Sequence, residues 1–368
     1  MSDFDYNPWM QGTEIGNPAS IIRRPGTRTH NPARRAGPET VHVEGNRRKS
    51  AKTPERLRGK AVRLASRGAV VEGPGLARVR CEIRGAAKAG ARRWKHPVAV
   101  GDDVLFAMTA KDEGVIEEVL PRRTTLIRRA PQRNYEQMLA ANADAVLVIA
   151  STREPPFRPG LVDRVLVAAE AGGLQGWICL NKNDLDPPQD LEPVLEAYRE
   201  ASFRVFRASA RTGEGLATLR SALQGKETVL IGHSGVGKSS LLGRLRPDLD
   251  LPVNPVSART GRGVHTTTAS ERIPIDDETH VIDTPGIREF MPAGVTPDTL
   301  WKHYPELRGP GERCRFKDCL HRVEAGCEVL RAVEEGRIDR GRHERYVAIL
   351  KTLLDKPKQL RRERGRRR

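Results

Sequence analysis

The 368-residue sequence is short of cysteine, of aromatic residues and of long apolar runs, and each shortage excludes something. Five cysteines, three of them gathered between positions 314 and 327, cannot form the dispersed, paired framework of a small secreted protein. No uncharged run approaches the roughly 20 residues needed to cross a bilayer. The opening Met1-Ser2-Asp3-Phe4-Asp5 lacks the basic region and apolar stretch of a secretion signal. A cytoplasmic, reducing location without membrane contact is expected.

Acidic residues are also in deficit, 47 Asp and Glu against 64 Lys and Arg, for a formal net charge of +17. The excess is uneven. Residues 1–60 and 356–368 together carry +13, residues 61–130 a further +6, and residues 131–355 come to −2. Basic flanks around a nearly neutral centre suit a polyanionic partner, most simply RNA in a chain without membrane features. Tails that serve solubility alone are the alternative.

What the sequence does carry begins with a phosphate-binding loop. Gly232-His233-Ser234-Gly235-Val236-Gly237-Lys238-Ser239 follows the strand-like Thr228–Ile231 and precedes the helical stretch Ser240–Leu245. In such a loop, backbone N–H groups at a helix N-terminus wrap the phosphates, and glycine stands where a Cβ would block the approach. The whole stretch through Ser240 is read as the nucleotide cradle. Lys238 would neutralise the β- and γ-phosphate oxygens, and the Ser239 hydroxyl would take one position on Mg²⁺.

Asn181-Lys182-Asn183-Asp184 stands behind the apolar run Trp177–Leu180, at the carboxyl end of a strand, where open α/β sheets bind ligands. Asp184 can accept from the N1–H and 2-amino group of guanine, a donor pair that adenine lacks. Asn181 is expected at the far edge of the base and the Lys182 methylenes over its ring. The backbone N–H of Ala210, in Ser209-Ala210, is expected at the guanine oxygen. Downstream, one of Thr266 and Thr267 would complete the Mg²⁺ shell; Thr267 is taken as the ligand, with Thr266 left open. His280-Val281-Ile282 reads as a strand delivering Asp283 to a magnesium-bound water, with the Gly286 N–H free for the γ-phosphate. Thus Lys238, Thr266, Thr267, Asp283 and Gly286 form the expected catalytic set.

Ile287 occupies the position where a glutamine would orient the attacking water, and an aliphatic side chain can neither donate nor accept. Slow intrinsic hydrolysis is therefore expected. The water is ordered either by another residue, with His265 the candidate, or by a partner. A solvent-facing role for His265 stays open. The motif order is inverted: the base reader precedes the phosphate loop, and the switch elements follow both.

Cys314-x4-Cys319-x-His321-x5-Cys327 supplies three thiolates and an imidazole within fourteen residues, a closed tetrahedral set for one structural zinc per chain. Cys81 and Cys179 lie in apolar strand-like runs and are expected in the core. Five modules emerge. Residues 1–58 read as a basic arm without periodicity, and residues 59–130 as about five short strands of a small RNA-binding barrel, an OB-fold. With Trp94 and Phe106 its only large aromatics, that barrel is expected to contact RNA backbone rather than stack on bases. Residues 131–290 alternate strands and helices in a doubly wound α/β pattern, residues 291–355 turn helical around the cysteines, and residues 356–368 form a basic tail.

Arg80-Cys81-Glu82-Ile83-Arg84-Gly85, Val100-Gly101-Asp102-Asp103-Val104, Gly114-Val115-Ile116-Glu117-Glu118 and Pro121-Arg122-Arg123 add to the permuted motifs and the Cys/His cluster. Together they resemble the ribosome small-subunit-dependent GTPase A family over about residues 59–355. The resemblance implies an α/β fold: a circularly permuted P-loop GTPase domain flanked by an N-terminal OB-fold β-barrel and a C-terminal α-helical zinc-binding domain. It implies GTP and GDP as ligands, GTP hydrolysis with Mg²⁺, and late maturation of the small ribosomal subunit through its rRNA. A catalytic role for His265 is likewise implied. A monomer is expected. A nucleotide-gated RNA chaperone and a GTPase acting on another structured RNA remain alternatives.

Overall fold

Alternating apolar and polar residues in short runs give five strands: β1 (Leu57–Ala65), β2 (Gly68–Glu72), β3 (Val79–Ile83), β4 (Asp103–Ala110) and β5 (Glu113–Val119). In β3, Val79, Cys81 and Ile83 point inward and Arg80 and Glu82 outward, as the two-residue period of a strand requires. In this computed structural model, which describes residues 55–84, 96–129, 135–248, 270–287 and 289–355, the five pair in the order β1-β2-β3-β5-β4. β4 returns to β1, so the barrel closes around Ala61, Val71, Cys81, Val104, Phe106 and Ile116. Most of the expected N-terminal arm, Trp94 and the 356–368 tail lie outside the described residues.

β6 (Thr125–Arg129) and β7 (Glu136–Ala141) then form a separate two-stranded sheet. β6 falls within the residues read as barrel but pairs with no barrel strand.

The α/β alternation follows. Its elements are β8 (Ala145–Ser151), α1 (Pro159–Ala171), β9 (Gln175–Asn181), α2 (Leu191–Glu200) and β10 (Arg204–Arg207). Next come α3 (Leu216–Leu223), β11 (Glu227–Gly232), α4 (Lys238–Leu245), β12 (Glu271–Pro274) and β13 (His280–Asp283). The strand order is β10-β9-β8-β11-β13-β12, with the first five parallel and β12 antiparallel to β13. β8 is buried along its whole length, which explains its uninterrupted apolar run: Val146 and Val148 face one core layer with Leu166 and Ile231, and Leu147 and Ile149 the other with Leu219 and Leu241.

Arg63 of β1 pairs with Glu271 of β12, so barrel and α/β sheet are continuous. A cavity of about 440 Å³ lies along this seam. Its walls neutralise one another, Lys60 with Asp103 at 3.3 Å, Arg272 with Glu227 at 2.9 Å and Arg123 with Asp144 at 2.9 Å.

After β13 the chain forms a 3-10 turn (Leu300–His303), α5 (Pro305–Glu312), α6 (Glu328–Glu334) and α7 (Arg340–Leu354) around Leu307, Val329, Tyr346 and Leu350. Asp339 caps α7 by accepting from the Arg342 backbone N–H at 2.7 Å. The same helix reaches back to the α/β core. Asp163 of α1, fully buried, accepts from Arg342 Nη1, Arg345 Nε and the Tyr198 hydroxyl, each at 2.6 Å. Arg342 also donates to Glu306 at 2.7 Å and its guanidinium lies between the Tyr198 and Tyr304 rings, 4.9 and 4.8 Å from their centroids. Burial works against that charge, yet Asp163 and Glu306 hold the guanidinium above its ordinary value.

Asp163→Ala would leave two arginines facing a dry pocket without their acceptor, a loss of about 3–5 kcal/mol for a buried pair broken on one side. Urea unfolding should show a markedly lower midpoint, and an unchanged midpoint would contradict this account of the joint.

Candidate functional site

The parallel strands β9, β11 and β13 end at one edge of the sheet, and there the sequence motifs meet. β11 ends at Gly232, and the chain turns through His233 to Gly237 into α4, whose first turn holds Lys238, Ser239 and Ser240. Gly235 and Gly237 both adopt φ +86°, a left-handed conformation that other residues take at a cost. A Cβ on Gly237 would also lie 2.4 Å from Asn181 Nδ2, and one on Gly232 2.7 Å from the Ile149 carbonyl. His233, Ser234, Ser239 and Ser240 are half-buried along this loop, whereas Val236 packs into the core.

Asn181, at the end of β9, is 1% exposed. Its Nδ2 donates to the Val236 carbonyl at 2.8 Å, and its Oδ1 accepts from the Ala210 N–H at 3.1 Å. Asn181 and Ala210, both expected beside the base, bond to each other, and Asn181 braces the phosphate loop against the Ser209-Ala210 loop. Lys182 takes φ +60° and donates to the Glu154 carbonyl. Asp184 is engaged on both oxygens: the Ser209 hydroxyl donates to one and Arg211 Nε to the other at 2.7 Å. The Ser209 hydrogen bond, helped by Arg211, holds the Asp184 carboxyl below its ordinary value. The Asp184 side chain is thus a carboxylate at neutral pH.

On the other side of β11, Lys238 and Asp283 are 8% and 4% exposed and form a direct ion pair. The Thr284 hydroxyl donates to the Leu230 carbonyl at 2.7 Å, fastening the end of β13 to β11. Gly286 lies across from the loop, where an added Cβ would sit 3.4 Å from the Ser234 nitrogen. Ile287 donates its N–H to the Gly232 carbonyl at 3.0 Å, and its side chain, 3% exposed, packs with Val229, Ile231 and Phe290. It therefore faces the core. His265, Thr266 and Thr267 lie outside the described residues. Arg158, at the start of α1, was not singled out from the sequence; its Nη1 stands 3.4 Å from His233 Nε2 on the phosphate loop. Arg211 was missed as well, since a surface arginine two residues beyond Ser209 carries no pattern.

In the C-terminal helices the ligand atoms of Cys314, Cys319, His321 and Cys327 lie within 4.8 Å of one another. His321 Nδ1 is 3.4 Å from the sulfurs of both Cys314 and Cys327, which are 3.8 Å apart. Burial pushes the Cys319 thiol up to about 12, so a thiolate there requires a cation beside it. The cluster can hold a metal ion. Its scaffold comes from α7, where His343 Nε2 stands 2.8 Å from the His321 carbonyl and the Tyr346 hydroxyl donates to the Leu320 carbonyl at 2.8 Å.

Asn181→Ala would leave the Val236 carbonyl and Ala210 N–H without their partner and loosen both loops. Affinity for GDP should fall about 5- to 100-fold, the worth of one or two buried hydrogen bonds. Fluorescent-GDP titration reads this, and an undiminished affinity would contradict the bracing role.

A family model described as RsgA GTPase matches residues 119–292. The small ribosomal subunit biogenesis GTPase RsgA of Chlorobaculum tepidum is 41% identical over 312 residues, 82% of this chain and 99% of that one. The protein of the same name from Bacteroides fragilis is 35% identical over 276 residues, 74% of this chain and 89% of its own. Among solved structures, YjeQ from Thermotoga maritima superposes with a TM-score of 0.64 at 31% identity, covering 82% of this chain and all of its own. YloQ, described as a circularly permuted GTPase, gives 0.60 at 27% identity over 82% of this chain and 96% of its own. At these identities and this coverage, on a sheet whose motifs run in the permuted order, the chain belongs to the RsgA GTPase family.

Proposed function

We propose that this protein is a GTP hydrolase that assists late assembly of the small ribosomal subunit. The observation that carries the reading is the Asn181 brace, which locks the phosphate loop and the base-reading loops into one edge of the sheet. Asp184 selects guanine through its N1–H and 2-amino donors, and the loop N–H groups with Lys238 take the phosphates. Mg²⁺ would be held by Ser239 and Thr267, with Asp283 reaching it through a water, and supplies positive charge to the phosphate oxygens. Lys238 and Asp283 neutralise each other until phosphate and cation give each its own partner.

Ile287 is anchored in the core, so it can neither turn toward nor orient the attacking water. His265 or a partner supplies that function, and turnover by the protein alone is slow. The barrel is assigned to residues 57–119, the GTPase and metal modules to residues 131–290 and 291–355, and the basic flanks to contact with rRNA. The protein acts as a cytoplasmic monomer.

The metal is zinc. A tetrahedron with Zn–S near 2.3 Å and Zn–N near 2.0 Å has edges of about 3.8 Å between sulfurs and about 3.5 Å from sulfur to nitrogen. The corresponding separations here are 3.8 Å and 3.4 Å. With three thiolates and one imidazole the shell is closed, and the ion's contribution is to the folding of the helical module.

Two outcomes are expected. Cys319→Ser should lose the metal by elemental analysis and melt the helical module while GDP binding persists; wild-type protein purified without zinc would contradict the assignment. GTP turnover should rise at least about tenfold on adding purified small ribosomal subunits at low salt, and the stimulation should weaken with salt before nucleotide binding does. Absence of stimulation at low salt would overturn the ribosomal reading.

A further inference from the structure

Among the described residues the exposed large apolar side chains are Leu76, Phe316 and Val323, and two of these three lie on the loops leaving the metal cluster. Phe316 sits between Cys314 and Cys319 and is 48% exposed; Val323 sits between His321 and Cys327 and is 74% exposed. Neither belongs to the core of the helical module, which is built from Leu307, Val329, Tyr346 and their neighbours. An aromatic ring left in water forgoes burial that would stabilise the fold, so its position on a rigid knuckle calls for a partner.

The knuckle is rigid for identifiable reasons. The Cys319 N–H donates to the Phe316 carbonyl at 3.2 Å. The Glu324 carboxylate accepts from the N–H groups of Leu320, Arg322 and Val323 at 3.1, 2.7 and 2.9 Å, so its charge is engaged within the loop. Arg313, Arg315 and Lys317 lie within three positions of Phe316 in the chain and Arg322 lies beside Val323 on the next loop, all of them exposed, against exposed Glu312 and Asp318. The Arg315 guanidinium lies over the Phe316 ring, 5.4 Å from its centroid. A preorganised ring set among cations matches the chemistry of an unpaired nucleotide, which offers a flat face to stack on and phosphates on either side. Duplex RNA hides that face.

We infer that Phe316 stacks on an unpaired RNA base while Arg313, Arg315, Lys317 and Arg322 hold the adjoining phosphates. This rests on the reading of an RNA-containing partner above and gives that partner a contact point and a mode of contact. The backbone contacts expected of the barrel are then complemented by a base contact from the metal module, at the far end of the chain.

The test uses the full-length, metal-loaded protein and two probes, purified small ribosomal subunits and the deproteinised rRNA extracted from them. Phe316→Ala should weaken binding to both by roughly tenfold or more, the loss of one stacked base. Phe316→Trp should restore it, and Lys317→Glu should weaken binding and flatten its salt dependence. Metal content and GDP affinity should match wild type in all three, which separates the contact from misfolding. Binding by Phe316→Ala equal to wild type overturns the inference. So does a loss seen with intact subunits but not with rRNA, which would place a ribosomal protein against the ring. If wild-type protein binds neither probe, the functional reading itself fails and the inference falls with it.

Discussion

Parallel strand pairing is the constraint on which the rest depends. Because β9, β8, β11 and β13 run the same way in register, their carboxyl ends coincide at one edge, whatever their order along the chain. Asp184, the 232–237 loop and Asp283 can therefore converge although β9, which leads to Asp184, comes before β11 and β13 in sequence. Asn181 turns that coincidence into rigidity, since a single buried carboxamide satisfies one group on each of two loops. Motif order is a matter of connectivity; motif geometry is a matter of the sheet.

The permuted connectivity has a mechanical consequence. β13 carries Asp283, and the 3-10 turn that opens the metal-binding helices begins at Leu300, about 17 residues further along the chain. Those helices do not hang from this exit alone. Arg342 and Arg345 of α7 return to Asp163 of α1, and α1 begins at the loop whose Arg158 approaches His233. The C-terminal module is thus joined to the nucleotide edge at two points, the exit from β13 and α1, and Ile287 and Phe290 of that exit share a core layer with Val162 and Leu166 of α1. On the opposite flank, the barrel continues the same sheet through β12 and β1, with charged pairs along the seam.

Much of this was legible in the sequence because the relevant signals are local. The uninterrupted apolar run of β8, Pro159 at the first turn of α1 and the glycines of the phosphate loop each report a backbone environment directly. The four metal ligands are close in sequence as well as in space. What could not be read involves partners far apart along the chain. Asp163 and Arg342 are separated by 179 positions and look like ordinary surface charges on two helices, yet they are buried against each other. The bracing role of Asn181 is equally hidden, because its hydrogen bonds to Val236 and Ala210 exist only once the strands are assembled. The β6–β7 pair was absorbed into the neighbouring modules, since two short strands carry no mark of which sheet they join.

The central claim is that this edge of the sheet is a guanine site read by Asp184. Equilibrium titration of wild type and Asp184→Asn with GTP and xanthosine triphosphate tests it most directly. Xanthine carries a carbonyl where guanine carries its 2-amino group, so the amide of the variant can donate where the carboxylate accepted. The account predicts that the substitution weakens GTP binding by about 10- to 100-fold, the worth of hydrogen bonds to a charged acceptor, and strengthens binding of xanthosine triphosphate. Equal affinity of the two proteins for GTP would contradict it.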